Sequence, residues 1–174
     1  MPAVADAGPL IHLAQIEKLW VLREFFELIW IVPEVKKEAI DEGLRLGHAE
    51  AKLLSSAHME GWIVVEDLPD SLIATAKSMA DLENVSMTDA KTLLLAREKE
   101  LDILVDDRIL SELAKMLELT VWNTWTILLE GVRRKLLGVS QVEAAVKELG
   151  VHRHKLREEQ VKEILEAAAR LAEK

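Results

Sequence analysis

Short apolar runs alternate along this chain with longer stretches in which apolar residues recur every three or four positions. Ala3–Ala5, Ile29–Val32, Trp62–Val65, Ile103–Val105 and Thr120–Trp122 are brief and lack polar alternation, which predicts strands covered by helices on both faces. Between them the helical period predicts helices near Pro9–Gln15, Lys18–Phe26, Pro33–Asp41, His48–His58, Leu72–Asp81, Thr88–Glu98 and Ser111–Leu117. Helices alone follow, at Trp125–Leu136, Gln141–Leu149 and Glu158–Glu173. Strand and helix in alternation predict an α/β fold with a mostly parallel sheet. Pro33 suits a first helical turn, and Gly43, Gly61 and Gly150 suit helix exits or turns. Without a repeat, a low-complexity segment or a Ser/Gly linker, the simplest organisation is one domain over 1–138 with a helical C-terminal extension, 139–174, packed on it.

Composition narrows the class. The chain has 174 residues, half of them apolar, which suffices for a substantial core. No apolar run approaches the ~20 residues of a membrane span, and the start lacks a secretory pattern. Absence of cysteine removes disulfides, thiolate chemistry and Cys-ligated zinc, and is compatible with a cytoplasmic protein. The net charge of −9 opposes broad attraction to nucleic acid, so an enzyme acting on one needs local positive charge or metal.

With 31 acidic residues, position must separate the unusual ones. Asp6 ends the first predicted strand, and Asp106 and Asp107 follow the fourth. In open α/β sheets, ligands bind beyond the carboxyl ends of strands near a topological switch point. Glu38 shares a helix face with Val35 and Ala39, and Asp89 opens an apolar stripe with Leu93 and Ala96. A carboxylate on such a stripe is costly unless paired or metal-bound. Glu34 and Glu98 read as ordinary surface charges. Each singled-out acid has a plainer reading: Asp6 and Asp107 suit helix N-caps, Ser86 with Asp89 resembles a capping box, and Glu38 suits a rim position.

At these residues the chain resembles the PIN-domain family. Val4-Ala5-Asp6-Ala7-Gly8-Pro9-Leu10-Ile11 is similar to that family's first strand with its metal-binding Asp. Val32-Pro33-Glu34-Val35-Lys36-Lys37-Glu38 resembles its helix with an inward Glu. Thr88-Asp89-Ala90-Lys91-Thr92-Leu93-Leu94-Leu95-Ala96 resembles the acid that opens an apolar helix, and Leu104-Val105-Asp106-Asp107-Arg108 the strand ending in acids. All four occur in family order. The resemblance implies a three-layer α/β/α sandwich around a sheet of about five strands. It also implies metal-dependent cleavage of RNA leaving 5′-phosphate and 3′-hydroxyl ends, as in VapC-like toxins held by an antitoxin. Two departures stand out: Ala7 and Gly8 replace the hydroxyl residue common after the first Asp, and Val105 the one common before the fourth acid. Both remove hydrogen bonds that would support carboxylates or metal-bound water.

Carboxylates without His or Cys partners suit Mg²⁺ or Mn²⁺. Asp6, Glu38, Asp89 and Asp106 form the expected catalytic and metal-binding set, with Asp107 as a further ligand. Metal would activate a water for in-line attack and reverse the local negative field. Arg108, Arg133, Arg134 and Lys135 are candidate RNA contacts; so is the run His152-Arg153-His154-Lys155 with Arg157. Thr124 is placed near the crevice to order a metal-bound water. Trp122 and Trp125 suit core packing more than base stacking. The apolar segment Leu19, Trp20, Val21, Leu22, Phe25 and Phe26 predicts burial in the core or in a homodimer. The main alternative function is a PIN-like module that binds RNA or a protein without cutting. A receiver-like regulatory domain wants an acidic pair after the first strand, and a haloacid-dehalogenase-type phosphatase wants Asp-x-Asp there. Asp6-Ala7-Gly8 fits neither.

Overall fold

The strands are three residues long or shorter, so the sheet is held by its neighbours more than by its own length. In a computed structural model, which describes residues 1–152 and 156–173, they are β1 (Ala3–Ala5), β2 (Ile29–Ile31), β3 (Ile63–Val65), β4 (Asp102–Leu104) and β5 (Val121–Trp122). All pair in parallel, in the order β3-β2-β1-β4-β5. Ala3, Val4, Ala5, Ile29, Ile31, Ile103 and Leu104 are wholly buried, the outcome expected when both faces are covered. The α/β sandwich with a parallel sheet is thus as expected.

One face carries α1 (Ala7–Gln15), α2 (Trp20–Phe25), α5 (Ala49–Met59) and α9 (Thr124–Arg133), which contact one another. The other carries α6 (Asp70–Glu83), α7 (Met87–Glu98) and α8 (Arg108–Met116). α7 is the central helix of that layer; every residue from Ala90 to Ala96 is buried. The C-terminal helices α10 (Val139–Val151) and α11 (Glu158–Ala172) pack on α9 and on each other. They add Val142, Ala145, Leu149 and Ala168 to the same core. No helix among the described residues is long and apolar enough to cross a membrane.

Element ends depart from the sequence expectation where capping decides them. α8 begins at Arg108 rather than Ser111, because the Asp107 carboxylate accepts the Leu110 N–H at 2.8 Å. The helix after Pro33 does not stop at Asp41. α3 (Pro33–Lys36) passes into a π-helical segment (Lys37–Glu42) and then α4 (Gly43–Leu46), ending at Gly47 with a left-handed φ of 77°. The Leu19–Phe26 segment is largely absorbed by this chain's own core. Leu19, Val21, Leu22 and Phe26 are buried, while Phe25 packs against Phe26 and Trp122. Trp20 alone stays exposed, beside Leu53 and Trp62 in a surface cleft.

Candidate active site

β1 and β4 are adjacent yet lie far apart in sequence, and their chains leave the sheet toward opposite layers. That makes the β1/β4 seam the switch point at which an open parallel sheet forms a crevice. Ala5 stands opposite Leu104, and the Asp6 N–H donates to the Leu104 carbonyl at 2.9 Å. Asp6 and Asp106 therefore emerge side by side. Gly8, just inside α1, lies against both: a Cβ built on it would sit 3.7 Å from Asp106 Oδ2 and 3.9 Å from Asp6 Oδ2.

Asp6 occupies the N-cap position of α1, but its side chain makes no capping hydrogen bond. Burial pushes its carboxyl up to about 6 from the ordinary 3.8; the Ala7 and Gly8 amides partly oppose this, and Asp89 and Glu38 add to it. Glu38 is raised as well, by partial desolvation first, then by Glu42 and Asp89. Mutual repulsion thus ties Asp6, Glu38 and Asp89 into one electrostatic cluster. Contrary to the expected inward stripe, Glu38 is exposed although Val35 and Ala39 are buried. Glu38 lies within the π-helical segment Lys37–Glu42, whose winding departs from the α-helical period on which that stripe was read. Asp89 starts α7 in a true capping box: its N–H donates to Ser86 Oγ, and Oδ2 accepts the Ser86 N–H, both at 3.0 Å.

Asp106 is different in kind. Oδ1 accepts the Thr124 N–H at 2.8 Å, and Oδ2 accepts the Thr124 hydroxyl at 2.6 Å. His12 Nδ1 stands 2.6 Å from the same Oδ2. Burial alone would raise this carboxyl, but the bonds from His12 and Thr124 outweigh it and hold Asp106 below its ordinary value. An ionised carboxylate only accepts, so Nδ1 of His12 is the donor. Thr124, wholly buried at the start of α9, therefore orients Asp106 directly and does not face solvent to order a water. His12 escaped the sequence reading. Its signal was available, since it lies one turn beyond Gly8 on the face that passes the two strand ends.

The remaining candidates are not brought into the crevice. Asp107 is exposed and committed to capping α8. Arg108 begins α8 beside it, with its side chain in solvent and paired to Glu112 at 2.9 Å. Arg133 and Arg134 both bind Glu130, and with Lys135 they lie at the far end of the helix that Thr124 begins, ~14 Å along its axis. Residues 153–155 of the basic run His152–Lys155 lie outside the described residues. Trp122 donates to Asp102 at 2.9 Å and packs on Phe25 and Phe26, and Trp125 is buried; both serve packing.

Glu34, read as an ordinary surface charge, is one of two carboxylates that meet a buried lysine. Lys91 on α7 is 6% exposed and donates to Glu34 at 2.7 Å, with Asp67 at 2.6 Å. Burial pulls the ammonium down, but the two carboxylates outweigh it and raise it above its ordinary value. The trio clamps α3, α7 and the loop before α6 together, one turn from Glu38 and two residues from Asp89.

As a donor set, Asp6, Glu38 and Asp89 are hard oxygen ligands, with Asp6 a buried acid lacking a capping bond. This chemistry fits Mg²⁺ or Mn²⁺. As the side chains stand, no three His, Asp or Glu groups among the described residues are close enough to hold a metal ion between them.

A family model described as DUF3368, a PIN domain, matches residues 2–170. Among solved structures, PAE2754 from Pyrobaculum aerophilum is similar in fold, with a TM-score of 0.53 and 22% identity. The match covers 75% of this chain and 97% of that one. No curated protein matches the chain.

Proposed function

Because this chain belongs to the PIN-domain family, a nuclease-type fold, we propose that it is a divalent-metal-dependent ribonuclease acting at the β1/β4 seam. The observation that carries the proposal is Asp6: a buried carboxyl at a strand end, without a capping bond, pushed up to about 6 beside Asp89 and Glu38. The Ala7 and Gly8 amides favour the Asp6 carboxylate without closing a capping hydrogen bond and are outweighed by burial, whereas a surface acid would not be desolvated.

In this reading Asp6, Glu38 and Asp89 hold Mg²⁺ or Mn²⁺, which when bound supplies an activated water and neutralises charge at the scissile phosphodiester. Asp6 binds from the buried floor and Glu38 reaches in from the exposed rim. Asp89 uses the carboxylate that its capping box already orients. Asp106, held ionised by Thr124 and His12, keeps the field at the seam negative and so favours cation binding. No serine, cysteine or histidine acts as nucleophile. Arg108, in solvent at the start of α8 and outside the crevice, is the candidate contact for backbone phosphates beyond the cut.

Incubation with unstructured RNA and Mn²⁺ is expected to give fragments with 5′-phosphate ends, and EDTA to stop it. RNA retained by the protein but left uncut in every metal would instead establish the binding module. That second reading draws support from the spacing of the acids, which stand too far apart as placed to enclose an ion. The proposal extends to a toxin held by an antitoxin. Induction in a bacterial host is expected to arrest growth for the wild type and not for Asp6→Asn; growth unaffected by both would remove that extension.

A further inference from the structure

We propose that His12 is a positioning residue of this site, supplying from the second turn of α1 a donor to Asp106 that the glycine at position 8 cannot supply. The inference rests on the reading of Asp106 as a member of the site. Both oxygens of Asp106 are fastened, and the fastenings come from two different helices. Thr124, the first residue of α9, takes one lone pair on each oxygen. His12 takes the second on Oδ2 at 2.6 Å, a charge-assisted distance. Oδ2 is then saturated, and the lone pair left to the crevice is on Oδ1. Without His12, Asp106 hangs from a single residue and can swing about the Thr124 contacts.

Gly8 explains why a histidine is needed one turn further on. Its φ is not positive, and a Cβ there would meet Asp106 Cβ at 3.6 Å and the two carboxylate oxygens at 3.7 and 3.9 Å, all ordinary contacts. Neither conformation nor space therefore demands glycine. A serine would carry its hydroxyl one bond beyond that carbon, within reach of the same carboxylates. With glycine the gap stays open, and the longer His12 side chain reaches across it from position i+4. Positions 8 and 12 are alternative sources of one hydrogen bond.

The test uses the full chain as wild type, His12→Ala, His12→Asn, Gly8→Ser/His12→Ala and Asp106→Asn. In metal-free protein, imidazole ¹H–¹⁵N spectra are expected to show His12 protonated at Nδ1, with a strongly deshielded proton that shifts in Asp106→Asn. A His12 lacking the Nδ1 proton overturns the proposal. With Mn²⁺ and unstructured RNA, His12→Ala is expected to lower kcat about 10–100-fold with KM nearly unchanged, the usual effect of losing a group that supports a site carboxylate. His12→Asn keeps an N–H near the Nδ1 position, and Gly8→Ser returns a donor from the turn before; each is expected to recover most of the loss. A folded His12→Ala with wild-type kcat, or failure of both rescues, overturns the proposal. If no form cuts RNA, the ribonuclease reading fails, and the metal-free spectra alone decide whether His12 holds Asp106.

Discussion

Among the described residues, Asp6 is the carboxyl raised furthest above its ordinary value. A carboxyl held at about 6 against an ordinary 3.8 amounts to about 3 kcal/mol of destabilisation once it is ionised. Because the folded value is the higher one, the folded protein keeps a proton that the unfolded chain gives up between pH 4 and 6. Stability from this residue therefore falls as pH rises through that window and stays low above it. Denaturant titrations of metal-free protein are expected to show Asp6→Asn gaining stability over wild type above pH 6 and losing that advantage near pH 4. Mn²⁺ needs the ionised carboxylate, so its thermal shift is expected to shrink below about pH 6 in wild type and to be largely absent in the variant. An Asp6→Asn protein that melts lower without metal and keeps the full Mn²⁺ shift would mean a structural Asp6. At the same scale, Glu34→Gln is expected to destabilise the fold. It removes one of two charged partners of a buried ammonium, and a loss of about 1–2 kcal/mol in denaturant melts is expected. Glu98→Gln, at an exposed position of α7, serves as the control and is expected to change little.

Elements decide which acids are available. Asp107 and Asp89 are both caps, and only the orientation of α7 also aims Asp89 at the seam. Asn caps a helix as well as Asp does, so Asp107→Asn is expected to leave both stability and the Mn²⁺ shift unchanged, while Asp107→Ala costs about 1 kcal/mol in thermal melts. Loss of the Mn²⁺ shift in Asp107→Asn would restore Asp107 as a ligand. Much of this scale was legible in the residues. The strand end at Ala5, the capping pair Ser86–Asp89 and the acids after β1 and β4 follow from apolar runs and cap chemistry, while β4 runs over Asp102–Leu104 rather than the expected Ile103–Val105. What escaped reading was non-local or non-α. Helical periodicity assumes one winding, so the π-helical segment that carries Glu38 left no trace in it. The His12–Asp106 contact joins residues on different elements, and so do the ion pairs of Lys91 with Glu34 and Asp67.

At the scale of the whole molecule, the helices after Arg133 are part of the wall of the core. α11 lies along α9, with Ala168 wholly buried there, and Val142, Ala145 and Leu149 join from α10. Since α9 also presents Thr124 to Asp106, truncation after Gly138 is expected to lower the melting temperature sharply or yield insoluble protein, and to weaken Mn²⁺ binding with it. A truncated chain that melts with the full-length protein would make residues 139–174 a separable extension. Self-association is a further proposal, now carried by exposed Trp20 and neighbouring Leu53; light scattering of a monomer at micromolar concentration would remove it.

The order β3-β2-β1-β4-β5 also fixes when the crevice can form during synthesis. Asp6 leaves the ribosome well before the strand that completes its crevice, which begins at Asp102, and before Thr124, which fastens Asp106. The first half of the sheet can assemble as soon as β3 is out, but that half contains no seam. Pairing of β1 with β4 closes a loop of nearly a hundred residues, the kind of contact that forms late. On the ribonuclease reading, the nascent chain would grow in contact with a particle made largely of RNA. Acids split between β1 and β4 would then keep it inert until β4 has left the ribosome and paired.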